Sequence, residues 1–368
     1  MKKFVWAIFL IISTFAGAQE FNPEKVPPMK FYGKDFYRIE GTMISDSLKE
    51  NSFDRLPLSY QNKVRKSVWE LSKNSAGISI RFLSNSTSIK AKWELLTDKK
   101  MNHMAETGIK GVDLYAMVGN RWQFVNTGRP TAVKNEALLI ENMTPVLREY
   151  RLFLPLYDGV SAVEIGIDSL SEIILPPVLR TKPIVFYGTS ITQGGCASRP
   201  GMAYTNIISR KLDMDCINFG FSGNGRMEAP LVELISEIDA ACYVIDCIPN
   251  MTVNQIHENT KPLIEIIRKK HPNTPIVFIE QMIYEKAFFD STVYQLITQK
   301  NAALKSEVTK SIESGFANIY YIDNQYPLGN DHEATVDGVH FTDLGFMRFS
   351  DYLIDKFNRF GIITSSDK

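Results

Sequence analysis

Pro183-Ile184-Val185-Phe186-Tyr187-Gly188-Thr189-Ser190-Ile191-Thr192-Gln193-Gly194-Gly195 is the stretch that decides how the chain is read. Ile184–Tyr187 is a short apolar run of strand type, and it ends in a turn of small residues. That turn carries Ser190, and a helical pattern is expected from about Met202. A serine on a strand-to-helix turn can present its Oγ at a helix N-terminus, where backbone N–H groups stabilise developing negative charge. Taken alone, Gly-Thr-Ser after a strand is more often a plain turn.

The rhythm downstream of this stretch is strand, helix, strand. Apolar runs at Cys216–Phe221, Cys242–Cys247, Ile276–Glu280 and Ile319–Ile322 alternate with helical patterns near Ala203–Leu212, Pro230–Ile238, Lys261–Lys270, Val293–Ser314 and Asp343–Phe357. Continuous apolar strands separated by helices predict a parallel sheet covered on both faces, an α/β three-layer domain over 183–360. Upstream the pattern differs. Ile78–Phe82, Ile89–Trp93, Val112–Val118, Trp122–Val125, Glu136–Ile140, Tyr150–Leu154 and Val163–Ile167 are short and mostly alternating, with Gly, Asn, Ser and Pro clusters between them. This predicts an all-β, jelly-roll-like sandwich over 19–168. A Pro-bearing linker at 169–182 joins the two, and Glu20–Glu40 reads as a polar, Pro-rich arm.

Composition excludes some partners. Lys+Arg and Asp+Glu both number 41 in 368 residues, so no basic excess points to nucleic acid or an anionic membrane. Lys2 and Lys3, the apolar run Phe4–Phe15 and the small residues Ala16-Gly17-Ala18 have the form of a signal peptide cleaved at residue 18. The competing reading is an uncleaved anchor, but the run is short for a bilayer span. No cysteine follows the cleavage site to carry a lipid, so the expected location is periplasmic or extracellular, without stable membrane insertion. Four cysteines remain: Cys196, Cys216, Cys242 and Cys247. On one strand Cys242 and Cys247 would lie about 16 Å apart, too far to bridge. Buried thiols are the simpler reading, and no Cys/His spacing along the chain suits zinc.

Ligands of open parallel sheets bind beyond the carboxyl ends of the strands. Reading those ends gives Ser190, then Gly220-Phe221-Ser222-Gly223-Asn224-Gly225, then Ile248-Pro249-Asn250, then Asp337-Gly338-Val339-His340. A hydroxyl, a flexible loop, a carboxamide, a carboxylate and an imidazole are the parts of acyl transfer. His340 would take and return the Ser190 proton, and Asp337, three residues earlier, could fold back onto its Nδ1. The N–H groups of Ser190 and Gly223 and the Asn250 amide would form the oxyanion hole. Each piece has a plain alternative: a nucleotide loop at Gly220–Gly225, a turn at Asn250, a helix start at His340.

These blocks together resemble the SGNH hydrolase superfamily, the GDSL esterases. Gly188-Thr189-Ser190 looks like its first block, Asn218–Gly223 its second, Asn250 its third and Asp337-Gly338-Val339-His340 its last. Thr189 stands in place of the usual Asp, and Ile-Pro-Asn-Met replaces G-x-N-D. Upstream, Gly111-Val112-Asp113-Leu114-Tyr115 resembles the G-x-D-L-Y signature of a β-rich domain that precedes some bacterial SGNH esterases. The resemblance implies a secreted serine esterase without cofactor or metal, acting on small-molecule or glycan esters, acetyl esters foremost. The alternatives are a lipid esterase or lysophospholipase on the same fold, or a non-catalytic carbohydrate-binding protein. Whether Asp113 or Tyr115 reaches the site stays open.

Overall fold

The computed structural model describes residues 28–179 and 181–363. The expected signal peptide lies outside them. Two antiparallel sheets form the N-terminal part. One orders its strands Met29–Tyr32, Val160–Asp168, Ile89–Leu95, Lys134–Ile140. The other runs Ile173–Ile174, Ser79–Ser84, Arg148–Phe153, Val112–Val118, Arg121–Gly128, with Arg38–Glu40 also on Ser79–Ser84. Alternation is clean in Ile89–Leu95, where every second residue is buried. Ile80, Phe82, Trp93, Leu114, Leu152 and Ile165 fill the space between the sheets.

The arm expected at Glu20–Glu40 is part of the sheets in its described portion. Met29–Tyr32 pairs with Ile165–Asp168, and Arg38–Glu40 pairs with Ser79–Arg81. The linker expected at 169–182 also carries structure. Ile173 and Ile174 pair with Ser84 and Leu83, and the carbonyls of Pro176 and Pro177 accept from Arg38 and Arg81.

The C-terminal part holds a five-stranded parallel sheet in the order Cys216–Gly220, Ile184–Gly188, Cys242–Asp246, Ile276–Ile279, Ile319–Ile322. Successive residues alternate between its faces. Val185, Tyr187, Ile217 and Phe278 meet Leu231, Ile256, Leu263 and Leu304 of the helices on one side. Ile184, Phe186, Val244 and Val277 meet Ile207, Ile208, Phe349 and Leu353 on the other. The helix expected at Lys261–Lys270 begins earlier, at Val253, because Thr252 and Gln255 form a capping box; Pro262 sits inside it. Strand order reverses beside Ile184–Gly188, and ligands of such sheets bind at that crevice.

The outer face of the six-stranded sheet is not solvated as sandwich patterning would suggest, because it lies against the parallel-sheet domain. Arg151, 2% exposed, donates to Ser79 and to Ser209 of the helix Tyr204–Leu212. Arg55 is buried and donates to the carbonyls of Asn218 and Gly220 at the end of the Cys216–Gly220 strand. Leu56, Val68 and Trp69 complete one core of the parallel-sheet domain, and Ala76, Met104, Leu156 and Tyr157 complete the other.

The G-x-D-L-Y stretch divides between these surfaces. Leu114 enters the sandwich core. Asp113, fully buried, accepts from Thr127, from Arg199 at 2.7 Å and from the Gly201 N–H at 2.8 Å. The Tyr115 hydroxyl accepts from Arg199. Neither residue contacts Ser190 by hydrogen bond; both hold the Arg199–Met202 turn.

Candidate active site

Ser190 opens a one-turn helix, Ser190–Gln193, directly after the strand Ile184–Gly188, and the helix expected from about Met202 follows as Tyr204–Leu212. The Thr189 side chain accepts from the Ile191 N–H, and Thr192 reaches back to the Thr189 N–H. Thr189 can therefore take the place of the Asp of the G-D-S motif, since both side chains cap a helix. As the first helical residue, Ser190 has an N–H without an intrahelical partner.

The four strand ends do converge. Ser190 Oγ lies 2.9 Å from His340 Nε2, and His340 Nδ1 lies 2.8 Å from Asp337 Oδ2. Asp337 Oδ1 accepts from the backbone N–H of Val339 at 3.0 Å and of His340 at 2.8 Å. Gly338, at φ +82°, allows this fold-back. Partial burial pushes the Asp337 carboxyl up, but the hydrogen bonds from the His340 backbone and ring outweigh it and hold the group below its ordinary value. It is therefore a carboxylate at neutral pH, able to stabilise a cationic imidazole beside it.

Gly223 sits at φ +69° on the Phe221–Gly225 loop, and its N–H has no acceptor among the described residues. Asn250 ends the short turn Ile248–Asn250. In the orientation that satisfies its neighbours, its Oδ1 accepts from Asn224 N–H at 3.0 Å and Gly225 N–H at 3.3 Å. Asn250 thus braces the loop through its oxygen and retains its amide hydrogens.

Several residues that position the site escaped sequence reasoning. Gln193, fully buried, accepts from the Ser222 N–H and donates to Asn74 and to the Leu156 carbonyl. Arg65 donates to Asn224 and pairs with Glu228. Tyr157 donates to the Ser190 carbonyl. Asn74, Arg65 and Tyr157 all come from the N-terminal part, which thus supports the loops bearing Ser190 and Gly223. A lone Arg, Asn or Gln bonded to backbone carries no periodic signal. Cys196, Cys216 and Cys247 are buried thiols, and Cys242 is buried on the same sheet.

Asp246, at the end of the Cys242–Asp246 strand, accepts from Thr192 and Tyr204 through Oδ2. Complete burial raises it to about 7 from 3.8, and the two hydroxyls offset only part of that. The folded chain then holds a proton that the unfolded chain releases, so stability falls as pH rises from about 4 to about 7. Asp246→Asn should be more stable than the parent at pH 8, by on the order of 1–3 kcal/mol, and no more stable at pH 4. Urea unfolding at both pH values checks this; a variant less stable at pH 8 would count against it.

Two family comparisons divide the chain where the fold does. Residues 181–358 match the GDSL-like Lipase/Acylhydrolase family. Residues 29–173 match the family described as GxDLY, the N-terminus of SGNH-hydrolase-type esterases. No curated protein matches the sequence. A crystal structure named as a GDSL-like lipase from Bacteroides ovatus is 34% identical, with a TM-score of 0.87, covering 92% of this chain and 99% of its own. A salicylyl-acyltransferase from a tetracycline biosynthetic pathway is 15% identical, with a TM-score of 0.75 over 91% of this chain and 98% of its own. A family two carbohydrate esterase from Cellvibrio japonicus is 12% identical, with a TM-score of 0.59 over 90% and 98%. The last two share the fold alone. The chain belongs to the GDSL-like lipase/acylhydrolase family, as an ester-hydrolysing enzyme with the GxDLY domain of SGNH-type esterases ahead of its hydrolase domain.

Proposed function

We propose that this protein is an exported serine esterase that removes small acyl groups, acetyl foremost, from carbohydrates through an acyl-enzyme. The carrying observation is the unbroken series Asp337–His340–Ser190, with links of 2.8 and 2.9 Å. His340 Nε2 takes the Ser190 proton as Oγ attacks the ester carbonyl. The Ser190 and Gly223 N–H groups and the Asn250 amide hold the oxyanion. Collapse expels the sugar hydroxyl with a proton from His340, and water then releases the acid by the reverse sequence. Asp337 keeps the imidazole oriented and balances its charge.

The carbohydrate reading is supported by the shared fold of the Cellvibrio japonicus carbohydrate esterase. Export rests on the Lys2–Ala18 pattern. Among the described residues no helix is long and apolar enough to cross a membrane.

A lipid ester reading has its own observation. Phe288, Phe289 and Tyr326 are 85%, 88% and 79% exposed. Phe288 and Tyr326 line a cavity of about 490 Å³ with Tyr284 and His332, near the Asp337 loop. Acetate release from a panel of acetylated glycans, with p-nitrophenyl acetate compared against the octanoate, decides between them. The expected result is acetate release and a kcat/KM favouring the acetyl ester. A tenfold preference for octanoate would favour lipids, and no hydrolysis of either would leave a binding protein.

A further inference from the structure

Beside the triad lies a second cluster with different chemistry. His103, Cys196 and His340 each offer a nitrogen or sulfur ligand, and these atoms lie within 4.8 Å of one another. They come from three distant segments. His103 is on the loop before the helix Glu106–Lys110 of the β-rich part. Cys196 is on the turn after the Ser190 helix, and His340 ends the Asp337 loop. The His103 and His340 rings are 5.6 Å apart between centroids, inclined at 51°. The backbone beside Cys196 abuts the catalytic imidazole: a Cβ on Gly195 would lie 3.3 Å from His340 Cδ2.

Cys196 is the telling member. It is 7% exposed, and its thiol is free and takes no hydrogen bond among the described residues. Its backbone is left-handed, at φ +72°, which costs a non-glycine residue of order 1 kcal/mol or more.

From this geometry we infer that His103, Cys196 and His340 form an inhibitory binding site for a thiophilic divalent cation such as Zn²⁺. Three atoms no more than 4.8 Å apart share a point within about 2.8 Å of each, and Zn–N and Zn–S bonds are about 2.0–2.3 Å. Each ligand therefore needs to move by roughly half an ångström. Two imidazoles and a thiolate suit zinc and not magnesium or calcium, which require oxygen. On binding, Cys196 passes its proton to solvent and its sulfur bonds the metal. His340 Nδ1 is committed to Asp337, so Nε2 is the atom left for the cation. Its lone pair is the one that accepts the Ser190 proton. The bound ion therefore breaks the 2.9 Å Ser190–His340 link and ties the β-rich part to the hydrolase domain. Water or ester oxygen can fill the fourth position.

The inference rests on the serine-esterase reading for its effect on rate, and only there. The test uses the full chain stripped with EDTA and assayed on p-nitrophenyl acetate in a non-chelating buffer. Zn²⁺ should inhibit reversibly, with activity restored by EDTA, while equal Mg²⁺ or Ca²⁺ has no effect. His103→Ala and Cys196→Ser should each raise the half-inhibiting Zn²⁺ concentration at least about tenfold, since loss of even an outer-shell partner of a ligand typically costs that much affinity. Their metal-free kcat/KM should stay within about threefold of the parent. Co²⁺ gives a readout independent of catalysis: the parent should show a sulfur-to-cobalt charge-transfer band that Cys196→Ser lacks. Unchanged Zn²⁺ sensitivity in folded His103→Ala, no cobalt–sulfur band in the parent, or activation by Zn²⁺ overturns the site. If the cobalt band is present and no esterase activity exists, the metal site stands and the functional reading falls. His103→Ala, on a half-buried loop, keeps the test decisive if Cys196→Ser does not fold.

Discussion

Ser190→Ala should lower kcat on p-nitrophenyl acetate by at least about 10⁴-fold, the scale seen when the nucleophile of a serine triad is removed. The Ser190 hydroxyl is the group hydrogen-bonded to His340 Nε2, at 2.9 Å, and alanine removes it. Folding should survive. The turn is fixed by Thr189 and Thr192, which cap the helix around Ser190 without using its hydroxyl, and alanine is a good helix former. The melting temperature should therefore stay within a degree or two of the parent, and mass spectrometry should find no acyl adduct. A folded variant that keeps a tenth of the parental rate would remove Ser190 from the mechanism and with it the acyl-enzyme.

The second largest effect is expected at Asn250. If its amide donates to the oxyanion, Asn250→Ala should cost about 100–1,000-fold in kcat, with KM little changed, because that bond strengthens in the transition state. The structure adds a complication that a second variant resolves. Asn250 Oδ1 also holds the Asn224 and Gly225 N–H groups, so alanine could act by loosening the Gly223 loop. Asn250→Asp keeps an acceptor for those two groups and loses the donor. If the donor matters, the aspartate variant is at least as impaired as the alanine one. If Asn250 only braces the loop, aspartate restores most of the rate. A kcat within threefold of the parent for both variants would leave Ser190 and Gly223 as the oxyanion donors.

The parallel sheet was legible because its strands are unbroken apolar runs, as burial on both faces requires. The rim could be read because strand ends are where such sheets bind, and Asp337 and His340 are near in sequence. Met29–Tyr32 and Arg38–Glu40 were not legible as strands. Each has three or four residues, too few to show alternation, and their partners lie far along the chain. The supports of the site were hidden for another reason. Arg55, Arg65 and Asn74 act on backbone atoms and side chains of the other domain, and nothing in their own neighbourhood marks them. The metal-ligand cluster was equally invisible, since spacing rules look for ligands close in sequence and His103, Cys196 and His340 meet only in three dimensions.

The Arg55 plug bears on how such chains recombine. Its guanidinium sits wholly inside the protein with carbonyls of Asn218 and Gly220 as acceptors, and burial lowers it to about 9. A crossover at the Pro176–Pro183 joint would pair one parent's β-rich half with another's hydrolase half. Wherever the carbonyls at that strand end were displaced, Arg55 would keep the Leu71 and Asn74 carbonyls of its own half and lose the other two acceptors, leaving a buried donor unsatisfied at a cost of about 1–3 kcal/mol. Asp113 would face the same mismatch if the incoming half lacked Arg199. The two halves match separate families but are not interchangeable cassettes. They should be inherited as a pair, and a library that shuffles them must carry Arg55, Arg65 and Asp113 together with the segments they grip.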